Sequence, residues 1–517
     1  MRELSIDAAG PGTPLPKFWQ ALGCDHLYQD TRSGAAEHLF ARIGETGAIR
    51  YLRNHHALSD EMADFAPVGE DDTERIPMGG GIYHEDDAGR PAYDFSIMDQ
   101  VYDRWVAAGI RPIVEMDRVP SLLRAPSGPV PVNDFARWTA LISAFTEHLL
   151  ARYGEDEVLS WYFECYNEPD RMPGWVHNLL YDHFVAAVTR VHPRLRVGGP
   201  AMWTAALGQF LEHVGRGCDQ VSGGPVRIDY VSSHRYAMSA DETRNFPLVF
   251  PYVGDLVRWV EEYWAYARTF PRILEVPFHL NEWGLIGRYA WGTRHFRAME
   301  LRDTEYAGLF LAKLVTGLVA LEHWRPELGP ERGKTPDLIL YWGFAYEASR
   351  GTFLGNRSVL TAGPVLKPIW AVYEMLARLG DERLDLGGAG AGDRVAGLAT
   401  RDACGSLRIL LYHFAEGPEP AGAAEEVRVR LDAHGALRPD EASWYLLDRE
   451  HGNTFRAWEA MGRPGQLAPE QLAELRSLER PRRHAGGIAV EAEGDRCRLT
   501  LRLPAQSVSL LEIPAAA

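Results

Sequence analysis

The chain has 517 residues, of which 46% are hydrophobic and 24% charged, a composition typical of a soluble globular protein with a sizeable core. Its formal net charge of −17 argues against nucleic acid or an anionic membrane surface as a partner. The N-terminus has no apolar signal-peptide core and no segment approaches the roughly 18 apolar residues of a membrane span, so we expect a cytoplasmic protein.

Short apolar segments alternate with longer amphipathic ones from residue 17 to about 380, which predicts strands alternating with helices. The strand candidates are residues 17–24, 49–55, 111–116, 160–166, 195–200, 228–234, 276–282 and 338–344. Eight such strands are the number that closes a (β/α)8 barrel. We therefore predict an α/β fold, with a TIM barrel over residues 17–380.

The helix between the third and fourth strands shows how helices are recognised. Asn133 is placed to cap it, apolar residues then recur at steps of three and four, and Gly154 ends it. Similar patterns predict helices at residues 95–108, 176–191, 254–268, 303–321 and 368–379.

The pattern changes after Leu379, where residues 380–392 are rich in glycine and acidic residues. Short alternating segments follow at residues 395–400, 407–413, 426–431, 442–447, 497–503 and 508–513, with one helix at 469–478. They predict an antiparallel β-sandwich over residues 381–517. Residues 1–16 form an N-terminal segment, from which we expect residues 3–8 to add a strand to this sandwich.

Two glutamates stand where a barrel keeps its chemistry. Glu168 follows the fourth strand and precedes Pro169, and Glu282 ends the seventh strand before Gly284. An Asn-Glu-Pro tripeptide can simply begin a helix, and an acid after a strand is common. However, the carboxyl ends of barrel strands face one pocket, and two carboxylates facing one pocket are what cleavage of a glycosidic bond requires.

Polar residues after other strands are candidates for the same pocket. His234 and Tyr236 follow the sixth strand and would lie beside Glu282, while His55 follows the second strand. Such donors can hold a nucleophile ionised while Glu168, in a less polar setting, keeps its proton. The alternative is a histidine whose ring is satisfied by backbone groups. Two long loops, 59–93 and 284–302, follow strand ends and either shape the pocket or are surface insertions.

An ordered set of motifs resembles glycoside hydrolase family 39, best known for β-xylosidases and α-L-iduronidase. The motifs are YLRNH (51–55), RPIVE (111–115), NEP (167–169), VGGP (197–200), VSSHRY (231–236), NEW (281–283), YW (341–342) and LDREHGN (447–453). The resemblance implies a retaining mechanism, with Glu168 as acid/base and Glu282 as nucleophile. It also implies further contacts with the sugar or the nucleophile from Asn167, His234, Tyr236, His55 and Trp342, the last as the floor of the sugar subsite.

The sequence departs from the xylosidase pattern at the sugar-binding positions. Those enzymes carry two acids after the eighth strand, whereas here Glu347 alone is nearby and is the predicted sugar contact. Arg118 and Arg350 are cations that could meet a sugar carboxylate. The identity of the sugar is therefore open at this point.

We predict a retaining exo-glycoside hydrolase, a β-xylosidase acting on short xylo-oligosaccharides. The alternatives are a related enzyme acting on uronic-acid or arabinose glycosides, and a non-catalytic sugar-binding barrel. No His-Glu-x-x-His or other compact ligand motif is present, so we expect no metal and no cofactor. Five scattered cysteines, odd in number, predict no disulfide framework. The sequence leaves the oligomeric state open, a homo-oligomer included.

Overall fold

A computed structural model describes the whole chain except residues 26, 33, 66–73, 203, 239–249, 288–291, 294–296, 322–333, 345–350, 418–421, 433, 486 and 517. Its centre is a closed barrel of eight parallel strands. These are β3 (Ala21–Cys24), β4 (Tyr51–Asn54), β9 (Arg111–Met116), β10 (Tyr162–Cys165), β11 (Arg196–Met202), β12 (Tyr230–Met238), β13 (Phe278–Ile286) and β14 (Leu338–Trp342). The barrel closes where β14 pairs with β3, with Leu340 opposite Ala21. The eight predicted strands are confirmed.

Helices surround the barrel and bury their apolar faces against it. They are α1 (Leu27–Arg32), α2 (Gly34–Thr46), α3 (Ser96–Ala107), α4 (Phe135–Tyr153), α5 (Glu155–Val158), α6 (Gly174–Val191), α7 (Thr204–Arg216), α8 (Val253–Ala267), α9 (Glu305–Ala320) and α10 (Pro368–Ala377). The cap of α4 is Asp134, whose carboxylate accepts from the Arg137 N–H, and not Asn133. Asn133 instead donates its side-chain amide to the Leu122 and Arg124 carbonyls. Within the described residues no helix is both long and apolar enough to cross a membrane.

Two further sheets pack face to face beside the barrel. One has the order β1 (Arg2–Asp7), β18 (Glu425–Asp432), β22 (Arg496–Leu503) and β21 (Ala489–Glu493). The other has the order β2 (Thr13–Pro14), β15 (Glu382–Leu384), β16 (Val395–Arg401), β17 (Leu407–His413), β23 (Ser507–Ile513), β19 (Ser443–Leu447) and β20 (Arg482–Arg483). Helices α11 (Thr454–Ala460) and α12 (Pro469–Leu478) follow β19. The N-terminal strand β1 pairs parallel with β18, so the start of the chain lies in this part of the molecule.

The structure differs from the sequence prediction in both long loops. Residues 59–93 contain two hairpins, β5 (Met62–Phe65) with β6 (Glu74–Pro77) and β7 (Tyr83–Glu85) with β8 (Pro91–Tyr93). Strand β13 continues to Ile286, so Gly284 does not break it. A Cβ on Gly284 would lie 2.9 Å from Tyr236 Cε1, so this glycine makes room for the tyrosine ring.

Candidate functional site

The predicted site residues meet at the carboxyl ends of the barrel strands. Glu168 and Asn167 follow β10, His234 and Tyr236 lie in β12, Glu282 lies in β13, His55 follows β4 and Trp342 ends β14. Glu347 lies outside the described residues, as does Arg350. The side chain of Arg118 is 51% exposed and lies 3.7 Å from Asp117.

The two glutamates share one histidine. His234 Nδ1 lies 3.0 Å from Glu168 Oε1 and 3.4 Å from Glu282 Oε2. One carboxylate oxygen of each glutamate and a ring nitrogen of His234 all lie within 4.8 Å of one another. Both carboxylates can therefore reach a single atom of a bound molecule.

The two carboxylates have different surroundings, and the difference runs opposite to the expectation from sequence. Glu282 is 4% exposed, whereas the Glu168 side chain is 38% exposed. Burial raises the pKa of Glu282 and the charge of Glu168 raises it further, while His234, Arg357 and Arg53 oppose the shift. The less solvated carboxyl is thus Glu282, because β13 is buried along its whole length whereas Glu168 stands on a turn.

Glu168 has a backbone conformation that residues other than glycine rarely adopt. Its backbone is left-handed, with φ 42° and ψ 57°, and Tyr166 two residues earlier has φ 67°. The Glu168 N–H donates to the Ala201 carbonyl at 2.9 Å, which ties the turn to the end of β11. Non-glycine residues in this conformation are disfavoured and persist where the surrounding structure imposes them, commonly at functional sites.

Donors surround the Glu282 carboxylate. The Tyr236 hydroxyl donates to Oε1 at 2.6 Å, and burial together with the nearby Glu282 charge raises the pKa of Tyr236 well above its usual value. Tyr236 therefore stays protonated and remains a donor. Two guanidinium groups also lie near the Glu282 carboxylate. Arg53 Nη1 is 3.7 Å from its Oε2 and Arg357 Nη1 is 4.0 Å from its Oε1.

Arg53 links this carboxylate to a buried network that the sequence analysis did not identify. The fully buried guanidinium donates to Glu164 at 2.6 Å, to Asn167 at 2.9 Å, and approaches Glu115 to 2.5 Å. Glu164 also accepts from the Asn281 amide at 2.7 Å. The neighbours of both glutamates in sequence, Asn167 and Asn281, are thereby fixed by one ion-pair network.

A sequence signal for this network did exist. Arg53, Glu115 and Glu164 are charged residues beside apolar neighbours in short strands. Charged groups in such positions are paired when they are buried, because an isolated buried charge is costly. Burial lowers the pKa of Arg53, but the charges of Glu115, Glu164 and Glu282 outweigh this and raise it overall.

His55 and Trp342 form a further wall of the site. His55 Nδ1 lies 2.8 Å from Glu115, and its ring centroid is 4.2 Å from that of Trp342. Burial and the charge of Arg53 lower the pKa of His55 well below its usual value, so the ring is neutral. Trp342 fits because residue 23 is glycine, since a Cβ there would lie 1.7 Å from the indole ring.

Asp25 and Arg357 complete this wall, and the sequence analysis identified neither. Asp25 follows β3, and its carboxylate accepts from Trp342 Nε1 at 3.0 Å and from Arg357 Nη2. Arg357 Nη1 also donates to the Tyr236 hydroxyl at 3.2 Å. Neither residue lies in a recognisable motif.

The charges of the site do not favour a metal ion. In the described part of the chain, two groups have metal-ligand geometry: His55 with Glu115 and Asp117, and His234 with Glu168 and Glu282. Arg53 lies beside a carboxylate of each group, at 2.5 Å from Glu115 and 3.7 Å from Glu282. A guanidinium at these distances repels a cation and already compensates the carboxylates.

The chain is similar to known glycoside hydrolases. The sequence model of the glycosyl hydrolases family 39 matches residues 2–497. A β-xylosidase of Geobacillus stearothermophilus is 24% identical over 506 residues, covering 91% of this chain and 87% of that protein. The human (Homo sapiens) α-L-iduronidase is 32% identical over 263 residues, covering 44% of this chain and 35% of that protein.

The fold has close structural relatives. The crystal structure of a monomeric β-xylosidase from Caulobacter crescentus CB15 superposes with a TM-score of 0.78 at 23% identity, covering all of both chains. At this identity the likeness shows the fold alone. Since the family model matches nearly the whole chain, the chain belongs to glycosyl hydrolase family 39 and is a glycoside hydrolase.

Proposed function

We propose that the enzyme is a retaining, exo-acting β-xylosidase that releases xylose from short xylo-oligosaccharides by double displacement. The observation that carries the mechanism is the approach of a Glu168 oxygen and a Glu282 oxygen to within 4.8 Å. Retaining glycosidases hold their carboxyl groups about 5–5.5 Å apart, whereas inverting enzymes need roughly 6.5–9.5 Å to admit a water molecule.

Glu282 is the proposed nucleophile because Tyr236, His234 and two guanidinium groups face its carboxylate and offset part of the pKa rise that burial causes. A Glu282 oxygen attacks the anomeric carbon and the bond to the leaving oxygen breaks, while Glu168 gives that oxygen a proton. Glu168, partly exposed at 38%, is placed to receive the leaving group and then water. Once the sugar has removed the charge of Glu282, Glu168 ionises more readily and takes a proton from the attacking water.

A neutral sugar fits the charges of the wall better than an acidic one. Arg357 lies near the nucleophile, but Asp25 already pairs with it. A uronate would have to compete with this carboxylate for the guanidinium. The β-xylosidase name of the Geobacillus relative points in the same direction.

A second candidate is a glycosidase acting on uronic-acid or arabinose glycosides. It is favoured by the 32% identity to human α-L-iduronidase over 263 residues. In this candidate the exposed Arg118, past the third barrel strand, is the cation that pairs with a sugar carboxylate. Initial rates on 4-nitrophenyl β-xyloside, α-iduronide and α-arabinofuranoside separate the two candidates. Preference for the β-xyloside supports our proposal, and preference for either of the others replaces it.

The roles of the two glutamates are tested with alanine variants. Glu282→Ala should abolish turnover of both xylobiose and 2,4-dinitrophenyl β-xyloside. Glu168→Ala should lose about 10²–10⁴-fold on xylobiose but much less on the dinitrophenyl substrate, whose leaving group needs no proton. Azide should rescue Glu168→Ala and yield the β-azide, since the second step then needs no base.

Glu212→Ala is the control for these variants, because Glu212 is an exposed glutamate on α7 with a 57% exposed side chain, and it should keep wild-type rates. The first sugar released, followed by ¹H NMR, should be β-xylose. Near-normal turnover by Glu282→Ala, or α-xylose as the first product, would contradict the mechanism.

We also propose a cytoplasmic location, with xylo-oligosaccharides taken up before cleavage in a route of xylan degradation. Cys218 and Cys404 are exposed free thiols. Exposed free thiols suit a reducing compartment. Activity recovered mainly in the periplasmic or culture fraction of the source cells would contradict this location.

A further inference from the structure

Asp25 occupies a position in the site that neither the family motifs nor the proposed mechanism uses. It follows the first barrel strand, and its side chain is 14% exposed. Two donors, Trp342 Nε1 at 3.0 Å and Arg357 Nη2, hold its carboxylate in place. Such an arrangement orients a charged acceptor without removing it from the pocket.

The distance from Asp25 to His55 is that of two groups which contact the same oxygen atom. His55 Nε2 lies 4.0 Å from Asp25 Oδ1 and 3.9 Å from Glu282 Oε2. These separations are too long for hydrogen bonds. However, a separation of 4.0 Å allows one oxygen atom to lie about 2.8 Å from both Nε2 and Asp25 Oδ1. A hydroxyl suits this place because it accepts one hydrogen bond and donates another.

The hydrogen-bond directions agree with a hydroxyl at this place. The Asp25 carboxylate only accepts hydrogen bonds, so a hydroxyl in the gap donates its hydrogen to Asp25. The hydroxyl oxygen then lies within contact distance of His55 Nε2, whose ring is neutral because burial and the charge of Arg53 lower the pKa of His55.

We propose that Asp25 is a sugar-binding residue of this site, where its carboxylate accepts a hydrogen bond from a sugar hydroxyl that His55 Nε2 also contacts. The inference rests on the proposed function, which places the anomeric carbon at Glu282. The nucleophile lies beside C1 and C2 of the sugar, and His55 Nε2 stands 3.9 Å from Glu282 Oε2 and 4.0 Å from Asp25 Oδ1, so we assign to Asp25 a hydroxyl farther from C1, at C3 or C4. Asp25 thereby helps to select the sugar.

The test compares the wild type with Asp25→Asn on 4-nitrophenyl β-xyloside and on its 2-, 3- and 4-monodeoxy analogues. On the parent substrate, kcat/KM of Asp25→Asn should fall about 10- to 100-fold, the usual effect of losing a hydrogen bond to a charged group. On either the 3-deoxy or the 4-deoxy analogue, the two enzymes should differ by less than about threefold, because the lost hydrogen bond is already absent.

A purely structural role gives a different result. Asp25 also orients Trp342, and loss of that contact would lower kcat/KM by the same factor on all four substrates. An equal factor on all four, or no effect on the parent, overturns the proposal. If Asp25→Asn does not fold, the wild type alone tests the proposal. Its kcat/KM should be at least about tenfold lower on the 3-deoxy or the 4-deoxy analogue than on the parent substrate, and a smaller loss on both overturns the proposal.

The control is Asp182→Asn, which makes the same substitution in another buried carboxylate. Asp182 on α6 pairs with His213 at 2.8 Å, outside the barrel. For each deoxy analogue, the ratio of its kcat/KM to that of the parent substrate should be the same in Asp182→Asn as in the wild type. Failure of the proposed function is distinguishable, because the wild type then does not hydrolyse the β-xyloside. The same deoxy series is in that case run on the glycoside that the wild type does hydrolyse.

Discussion

Single contacts at the Glu282 carboxylate control its protonation. Burial raises the pKa of Glu282, and each donor that stabilises the anion offsets part of that shift. The Tyr236 hydroxyl is the shortest of the described contacts to this carboxylate, at 2.6 Å. Removing it should change both the rate and the pH at which the nucleophile ionises.

Tyr236→Phe should therefore lower kcat/KM at the pH optimum by about 10- to 100-fold. It should also raise the pKa of Glu282 further, which moves the acidic limb of the kcat/KM profile to higher pH. Tyr230→Phe is the matched control on the same strand, since its hydroxyl donates to the Phe163 carbonyl at 3.0 Å. A limb that moves equally in both variants, or to lower pH in Tyr236→Phe, contradicts this assignment.

The buried Glu282 carboxylate should also cost stability at neutral pH. Its pKa is raised in the folded state above the ordinary 4.5, so the folded protein is most favoured below that value and loses stability as pH rises through the raised pKa. Glu282→Gln removes the ionisation and should raise Tm at pH 7 by about 1–3 °C.

This gain should shrink as the pH falls toward 4, because wild-type Glu282 is then protonated as well. Glu212→Gln changes an exposed side chain, so its difference in Tm from the wild type should be the same at every pH. Thermal unfolding of the three proteins between pH 4 and pH 7 measures this. A gain of the same size at both ends of the range would mean that ionisation is not its cause.

Among the elements, the first and last barrel strands together position the wall that contains His55 and Trp342. Strands β3 and β14 pair side by side, and Gly23 lies opposite Trp342 in this register. The indole occupies the space that any side chain at position 23 would fill. The position of the ring beside His55 thus depends on one glycine in a neighbouring strand.

Gly23→Ala should displace the Trp342 ring, because the added Cβ would lie 1.7 Å from it. We expect a loss of about 1–3 kcal/mol in the free energy of unfolding, typical of overpacking, and at least about a tenfold loss in kcat/KM. Gly44→Ala in α2, where nothing lies within 4 Å of the added atom, should instead be neutral or stabilising. Denaturant unfolding and kinetics check both; wild-type activity in Gly23→Ala would mean that the ring position does not matter.

At the scale of the whole molecule, helix α9 joins the barrel to the sandwich. Its residues from Glu305 to Val319 are all buried. Phe310 stacks on Trp283 of the barrel, while a Cβ on Gly308 would lie 3.1 Å from Leu447 of β19. The buried Glu305 carboxylate also accepts from Arg456 and Asn453 of the C-terminal part.

A chain truncated to residues 17–379 should therefore aggregate, because it would expose one apolar face of α9 and leave Glu305 without its Arg456 and Asn453 partners. Size-exclusion chromatography and circular dichroism of the truncated and full chains measure this. Co-expression of residues 380–517 as a second chain should recover soluble protein. A monodisperse, active truncated barrel would show that the two parts are independent.

The sequence by itself determined the order of strands and helices and the positions of the two glutamates. Apolar periodicity and turn residues act over a few positions, so the eight strands and helices such as α4 and α12 could be predicted from local pattern. The motif residues could be assigned to strand ends for the same reason. The misplaced cap at Asn133 shows the limit, because two adjacent capping residues differ only in which one contacts the helix.

Only the tertiary structure decided which charges meet and which carboxylate is buried. Asp25, Arg53 and Arg357 come from distant parts of the chain, and closing the barrel brings them to the same site. Burial depends on what packs from outside a segment, so local pattern could not show that Glu282 is enclosed while Glu168 is half exposed. Ion pairs and pKa shifts follow from those distances, and the distances exist only after folding.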